Sequence, residues 1–310
     1  MTSLNLKAKL QVLSSSIIYG FAGIFFVFIK NMNPGTVVFY QLLLGFLVLV
    51  AYLALKGELF RLRFRKKRKG LFLLGVCQAG VLISYYAAIN YTNVSVSVLL
   101  LYTAPIYVSL LSPFLLKERL TPKNIAALLL SLTGVFLVVG PEALFSTGEK
   151  NYFFGVLIGL FSGLFYACII LSSRYLRDEY TGLEQLILST GIALVFLLPY
   201  AVKSPGSDLL ENLPLILFLG VMITSIGSIL YFTGLTQVKA QVASLISLLE
   251  PVSAIFCATV LLKDPLSSGT LLGCLLILSS AFLVSFEAES AAAEPQKNSE
   301  SREAESKMNF

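Results

Sequence analysis

Uncharged apolar runs of about twenty residues recur along this chain, separated by short polar punctuation, and that is the length a helix needs to cross a bilayer. Ten such runs lie at approximately 10–29, 36–55, 70–90, 95–116, 122–140, 152–173, 183–203, 213–234, 240–262 and 268–286. The breaks between them are marked by Asn33-Pro34-Gly35, the basic stretch Arg61 to Lys69, Asn90 to Asn93, Lys117 to Lys123, Pro141 to Asn151, Arg174 to Glu179, Ser204 to Asn212, Lys239, and Lys263 to Pro265. The pattern predicts an all-α membrane protein with ten transmembrane helices and mostly short connections. A first run ending at Lys30 has the length of a signal peptide, but it lacks a small-residue cleavage pattern and nine further runs follow it, so it is read as the first membrane helix.

The pattern also repeats. Shifted by 146 residues, the segment Tyr85 to Val139 lies on Tyr231 to Ser285 without a gap. Tyr85 then meets Tyr231, Pro105 meets Pro251, and Leu115-Leu116-Lys117-Glu118 meets Leu261-Leu262-Lys263-Asp264. Leucine matches are cheap in such a chain, whereas a matched Pro and a matched Lys-acid pair are not. A shift of 147 lays Ile18-Tyr19-Gly20 on Phe165-Tyr166-Ala167, which brings the first helix of each half into the repeat. The unit is therefore five helices, and an odd number makes the second unit enter the membrane from the opposite side. Residues 10–140 and 152–286 are expected to be two inverted repeats, a plan that lets two halves rock around one midplane site. The other reading is a duplication without mechanical use.

Charge orients the expected bundle. Lys and Arg accumulate in cytoplasmic loops, and placing the N-terminus inside puts nineteen of them on that side against four (Lys30, Lys150, Lys203, Lys263) on the other. Both termini are expected in the cytoplasm, with residues 1–9 as a cytoplasmic N-terminus and the protein in the cell or inner membrane. Arg61 to Lys69 reads as an anchor beside anionic lipid. From residue 287 the composition turns to Ala, Glu, Ser and Lys, and 287–310 is expected to be a disordered cytoplasmic tail.

Composition agrees with this picture and narrows the chemistry. Of 310 residues, 56% are hydrophobic and 13% charged, with a mean hydropathy of +0.84, too apolar for a water-soluble domain. The net charge of +6 falls in short clusters between apolar runs, which suits topology and not nucleic acid. The absence of His removes His-based zinc, haem, nucleophile-pair and proton-relay chemistry. Cys77, Cys168, Cys257 and Cys274 stand singly in apolar runs and read as small buried hydrophobes. Neither a cofactor nor a metal is expected.

At the midpoint of the fourth run stands Tyr102-Thr103-Ala104-Pro105, leading to Lys117-Glu118-Arg119-Leu120, and the ninth run has Leu249-Glu250-Pro251-Val252 leading to Lys263-Asp264-Pro265-Leu266. With ten helices in a five-plus-five plan, this motif resembles the EamA-type members of the drug/metabolite transporter superfamily over about residues 10 to 286. Two departures stand out: members often carry Leu-Gly-Glu where this chain has Leu-Lys-Glu and Leu-Lys-Asp, and an Arg of the second helix is Gln41 here. The resemblance implies secondary transport of small organic metabolites, frequently export of amino acids or related compounds, through a central cavity lined by helices 1, 3, 4, 6, 8 and 9.

Of the seventeen acids, Glu250 is the one near the middle of a run. A charge there costs at least about 2.5 kcal/mol even on lenient insertion scales, so the group must face a polar cavity or carry a proton. It reads as a proton-coupling or cation-contacting group, or else as a packing residue. Pro105 and Pro251 each remove an amide hydrogen, which frees the carbonyls of Leu101 and Ser247 and favours a kink; both helices are expected to border the cavity. Tyr19, Tyr85, Tyr102, Tyr166 and Tyr231 fall well inside runs, where their hydroxyls need partners. With Gln41 and Gln78 they are the candidate lining of a mildly polar, aromatic cavity. The Gly155-Gly159-Gly163 and Gly269-Gly273 lines permit close helix contact, within a monomer or across a homodimer. A membrane enzyme acting on lipid would need a His, a metal set or paired acids; a channel or lipid scramblase is the remaining rival.

Overall fold

A computed structural model of the chain describes residues 2–59, 62, 63, 65–92, 94–139, 152–263 and 267–283. The expected connection at 141–151, the tail at 287–310, and Arg61, Phe64 and Asp264 lie outside the described residues. Helices account for the described fold, in the order α1 (Thr2–Val27), α2 (Pro34–Leu55), α3 (Arg68–Tyr91), α4 (Val94–Leu101), α5 (Ala104–Leu115), α6 (Pro122–Val139), α7 (Tyr152–Leu176), α8 (Gly182–Leu197), α9 (Gly206–Leu219), α10 (Ser228–Gln237), α11 (Ala240–Ser247), α12 (Leu249–Cys257) and α13 (Ser268–Leu283). No strand occurs among the described residues.

Eight stretches of the described residues are long and apolar enough to span a membrane: α2, α3, α4 with α5, α6, α7, α8, α9 with α10, and α11 with α12. The expected first span, 10–29, lies on α1 as far as Val27; of the expected tenth, α13 supplies sixteen residues, shorter than a full span. Helix starts follow local chemistry. Asn33 caps α2 by accepting the Gly35 amide at 2.9 Å ahead of a Pro at the first helical position. Thr181 and Glu184 close a reciprocal capping box at the start of α8.

The two prolines do more than kink their helices. One span is interrupted at Tyr102–Thr103, so that Pro105 becomes the second residue of α5; the other is interrupted at Leu248, which leaves Pro251 in the first turn of α12. A first-turn Pro costs no intrahelical bond. At both breaks the backbone tightens to i→i−3 bonds, Thr103 N–H to Leu100 at 3.2 Å and Leu248 N–H to Leu245 at 3.3 Å. Thr103 (φ −72°, ψ −10°) and Leu248 (φ −68°, ψ −3°) keep near-helical angles, so each span carries on across its break. Matching the 146-residue shift, Lys117 (φ 56°) and Lys263 (φ 61°) both end their spans in the left-handed region. That conformation favours glycine and accounts physically for Gly in the related Leu-Gly-Glu pattern.

Packing of the two interrupted spans differs between their halves. α5 lies against α11, whereas α4 leans on α7 and α12 leans on α1. The helices α1, α10 and α12 thus form one wall, α3, α4 and α7 the facing one, and the two are joined by α5 with α11 at one end and by contact of α7 with α10. Small residues make the close approaches possible. A Cβ on Gly20 of α1 would come within 2.8 Å of the Glu250 carbonyl, and one on Gly163 of α7 within 2.7 Å of the Leu100 carbonyl. The Gly155-Gly159-Gly163 line is spent inside the chain, against Tyr91, Leu100 and Thr103, and Gly273 is spent against Gly134.

Candidate functional site

Three short segments and three long helices bring one polar cluster to the middle of the bundle. Glu250 sits in the first turn of α12, where the helix dipole favours a negative charge. The Tyr102 hydroxyl, from the facing break, interacts with its carboxyl. Tyr19 of α1, Tyr85 of α3, Tyr166 of α7 and Tyr231 of α10 all lie close enough to interact with the same carboxyl. Tyr19 and Tyr231 meet edge-on with centroids 5.7 Å apart. Although five aromatic residues surround it, Glu250 keeps part of its surface accessible.

Hydroxyl protons in this cluster are mostly committed. Tyr19 donates to Ser228 Oγ at 3.0 Å, and Ser228 in turn donates to the Ile223 carbonyl at 3.1 Å. Tyr231 donates to the Tyr166 hydroxyl at 3.2 Å, with Ser247 Oγ 3.4 Å from the Tyr231 oxygen. Ser228 follows a π-helical stretch, Gly220–Gly227, whose wider turn belongs to a span that also carries Pro214. The corresponding part of α3 is regular α-helix.

Of the residues singled out from sequence, Tyr19, Tyr85, Tyr102, Tyr166, Tyr231 and Glu250 come together, with Pro105 and Pro251 just beyond the two breaks. Gln41 and Gln78 do not join them. Gln41 donates to Thr224 Oγ1 at 3.5 Å where α2 crosses the π-helical stretch, and Gln78 bridges α3 to α8 through Thr190 Oγ1 at 3.2 Å and Ser189 Oγ at 3.0 Å. Cys77 and Cys168 are free thiols in contact between α3 and α7. Among the described residues no group of His, Cys, Asp or Glu could hold a metal ion. Two surface crevices, of about 350 and 370 Å³, are apolar notches bordered by α2, α3 and α8, away from Glu250.

A second polar assembly, not singled out from sequence, ties one end of the bundle. Glu118 pairs with Arg174 Nε at 3.2 Å, and both side chains are largely, though not fully, buried. The other Glu118 oxygen accepts the Ala240 amide at 2.9 Å, while Arg174 Nη1 donates to the Thr236 carbonyl at 2.6 Å. Beside it, buried Asn124 donates to Gln241 Oε1 and Gln241 donates to Ser112 Oγ, each at 2.7 Å. The ends of α5, α7 and α10 and the start of α11 are thereby locked. At the same end Arg65 pairs with Glu184 at 2.7 Å and donates to the Glu179 carbonyl, and Lys67 donates to the Tyr175 carbonyl at 2.8 Å. In sequence, Glu118 stands out as the acid of the repeated motif and Arg174 looks like an ordinary loop charge; their pairing across 56 positions leaves no local signal.

Apolar helices of membrane-spanning length, two of them interrupted beside a polar cluster, define a multi-pass helical membrane protein of the transporter class. The chain belongs to the EamA-like transporter family, whose model matches residues 6–140 and again 153–286. An uncharacterized transporter of Archaeoglobus fulgidus is 31% identical over 261 residues, covering 83% of this chain and 89% of its own. The uncharacterized inner membrane transporter YicL of Salmonella typhimurium is 27% identical, covering 92% and 97%. A solved crystal structure with 19% identity shares the fold, at a TM-score of 0.75 over 89% of this chain and 96% of the other.

Proposed function

We propose that this transporter is a proton-coupled secondary carrier that exports amino acids or related small metabolites by alternating access. In this reading ten spans form two inverted five-helix repeats, 10–140 and 152–286, both termini are cytoplasmic, and one chain is the transporting unit. The double family match, the prolines and left-handed lysines 146 residues apart, and the glycine lines used up within the chain support it. The observation that carries it is Glu250: a carboxyl at membrane depth, partly accessible, between two walls joined through α5 and α11 and through the contact of α7 with α10. Interrupted helices at mid-membrane are where secondary carriers hold substrate and coupling ion.

The Glu118–Arg174 lock is then the closed gate, and the space between α4 and α12 is the open one. Moving α5 away from α11 exposes the cluster to the other side. Glu250→Gln keeps size and hydrogen bonding but removes the exchangeable proton. In proteoliposomes the variant should lose acceleration by an imposed pH gradient while counterflow, which needs no net proton movement, survives. Full gradient-driven transport in the variant would sink the coupling role. Flux that neither saturates nor shows counterflow in the wild type would make the protein a channel or scramblase. For orientation, external thiol labelling in a background without the native cysteines should reach a probe at position 146 and spare one at position 64.

A further inference from the structure

The Glu250 cluster is built for a positive charge. It holds one carboxyl, and among the described residues no Lys or Arg acts on it; the ion-paired Arg65, Lys67 and Arg174 sit at the locked end. A carboxylate here has two possible neutralisers, a proton or a cation brought by the substrate, because leaving it unpaired in a low-dielectric interior is costly. Around it stand aromatic rings from five elements, and ring faces attract ammonium groups. Anionic groups find little. The Tyr19 and Tyr231 protons already go to Ser228 and Tyr166, and Tyr102 is turned to Glu250, which leaves Tyr85 and Tyr166 as phenolic donors.

We infer that the substrate is an organic amine, an ammonium on an apolar or aromatic body, and that a free carboxylate on the same molecule is rejected. The inference rests on the carrier reading and narrows it from amino acids to their amine relatives. An amino acid would satisfy Glu250 with its ammonium but would bring a second carboxylate beside the first, with no cation to receive it. Recognition then comes from one charge pair and several ring faces, so the body of the amine is selected by fit and not by hydrogen bonds.

The test uses charge series on a constant body: phenethylamine, phenylalanine and phenylacetate, then tryptamine, tryptophan and indole-3-acetate, then butylamine, 2-aminobutyrate and butyrate. Each is offered to full-length protein in proteoliposomes for counterflow and to purified protein for a shift in melting temperature. At least one amine should exchange and stabilise at about tenfold lower concentration than its amino acid, and the plain acids should do neither. In Glu250→Gln counterflow should persist while the preference for that amine over its amino acid falls by about tenfold, and Tyr231→Leu should harm exchange of the amine more than Tyr231→Phe, since only the former removes the ring. Preference for an amino acid or acid, or silence of all three amines, overturns the inference while a saturable carrier of another solute leaves the carrier reading standing. Passage of all nine without saturation ends both. The charge series on the wild type needs no variant to fold.

Discussion

One span breaks at Tyr102–Thr103 just ahead of Pro105, and its counterpart breaks at Leu248 just ahead of Pro251. Both tighten to the same i→i−3 bonds and both end on a left-handed lysine. Their side chains differ. Aligned across 146 residues, Tyr102 stands where the second copy has Leu248, and Ala104 where it has Glu250. The first break contributes a phenol, the second a carboxyl, and each faces the group that its own copy lacks. Shared backbone chemistry makes two matching interruptions, while unshared side chains make a single polar pair from them. Symmetry supplies the geometry here, and departures from symmetry supply the chemistry.

The comparison breaks hardest at the locked end, where the end of α5 meets the start of α11. Arg174→Gln strands the buried Glu118 carboxylate and should lower stability by about 3–5 kcal/mol, read as unfolding in detergent. Glu118→Gln combined with Arg174→Gln strands no charge and should cost clearly less than the single change. At mid-depth, Tyr102→Phe removes the hydroxyl that reaches Glu250 and should cost about 1–3 kcal/mol by the same measurement. Gly20→Ala drives a methyl group to 2.5 Å from Ser253 Cβ and 2.8 Å from the Glu250 carbonyl, which pushes α1 off α12 and should cost about 1–3 kcal/mol. The smallest effect sharpens the symmetry. Lys117→Gly and Lys263→Gly relieve left-handed strain and should each stabilise by about 0.5–1 kcal/mol, whereas alanine at either place should not.

Most of the fold was legible because lipid imposes a long apolar period that needs no tertiary context, and the matched prolines and lysines survive translation along the chain. The Tyr–Glu cluster was legible for a related reason: a polar residue at membrane depth is conspicuous against its surroundings. Gln41 and Gln78 met that same test and yet hold α2 to the π-helical stretch and α3 to α8, since depth along a helix does not say which way a side chain turns. Glu118 and Arg174 failed it in the opposite sense. At the ends of apolar runs, Glu118 showed as the acid of the repeated motif and Arg174 as a topology charge, and only the approach of α5, α7 and α11 brings them together as a pair. The breaks were seen as kinks because proline chemistry predicts a lost bond, while the helix restarting ahead of each Pro depends on how the preceding turn tightens.

Five of the fourteen tyrosines ring Glu250, and the chain contains no tryptophan. Its ultraviolet emission therefore comes mainly from tyrosine, with those five among its sources. Phenols that share protons quench one another, so any rearrangement of that ring of side chains changes the light the whole protein gives off. The molecule carries its own optical probe at the place where its chemistry is concentrated, and a single tryptophan placed elsewhere would be the only one of its kind to be seen.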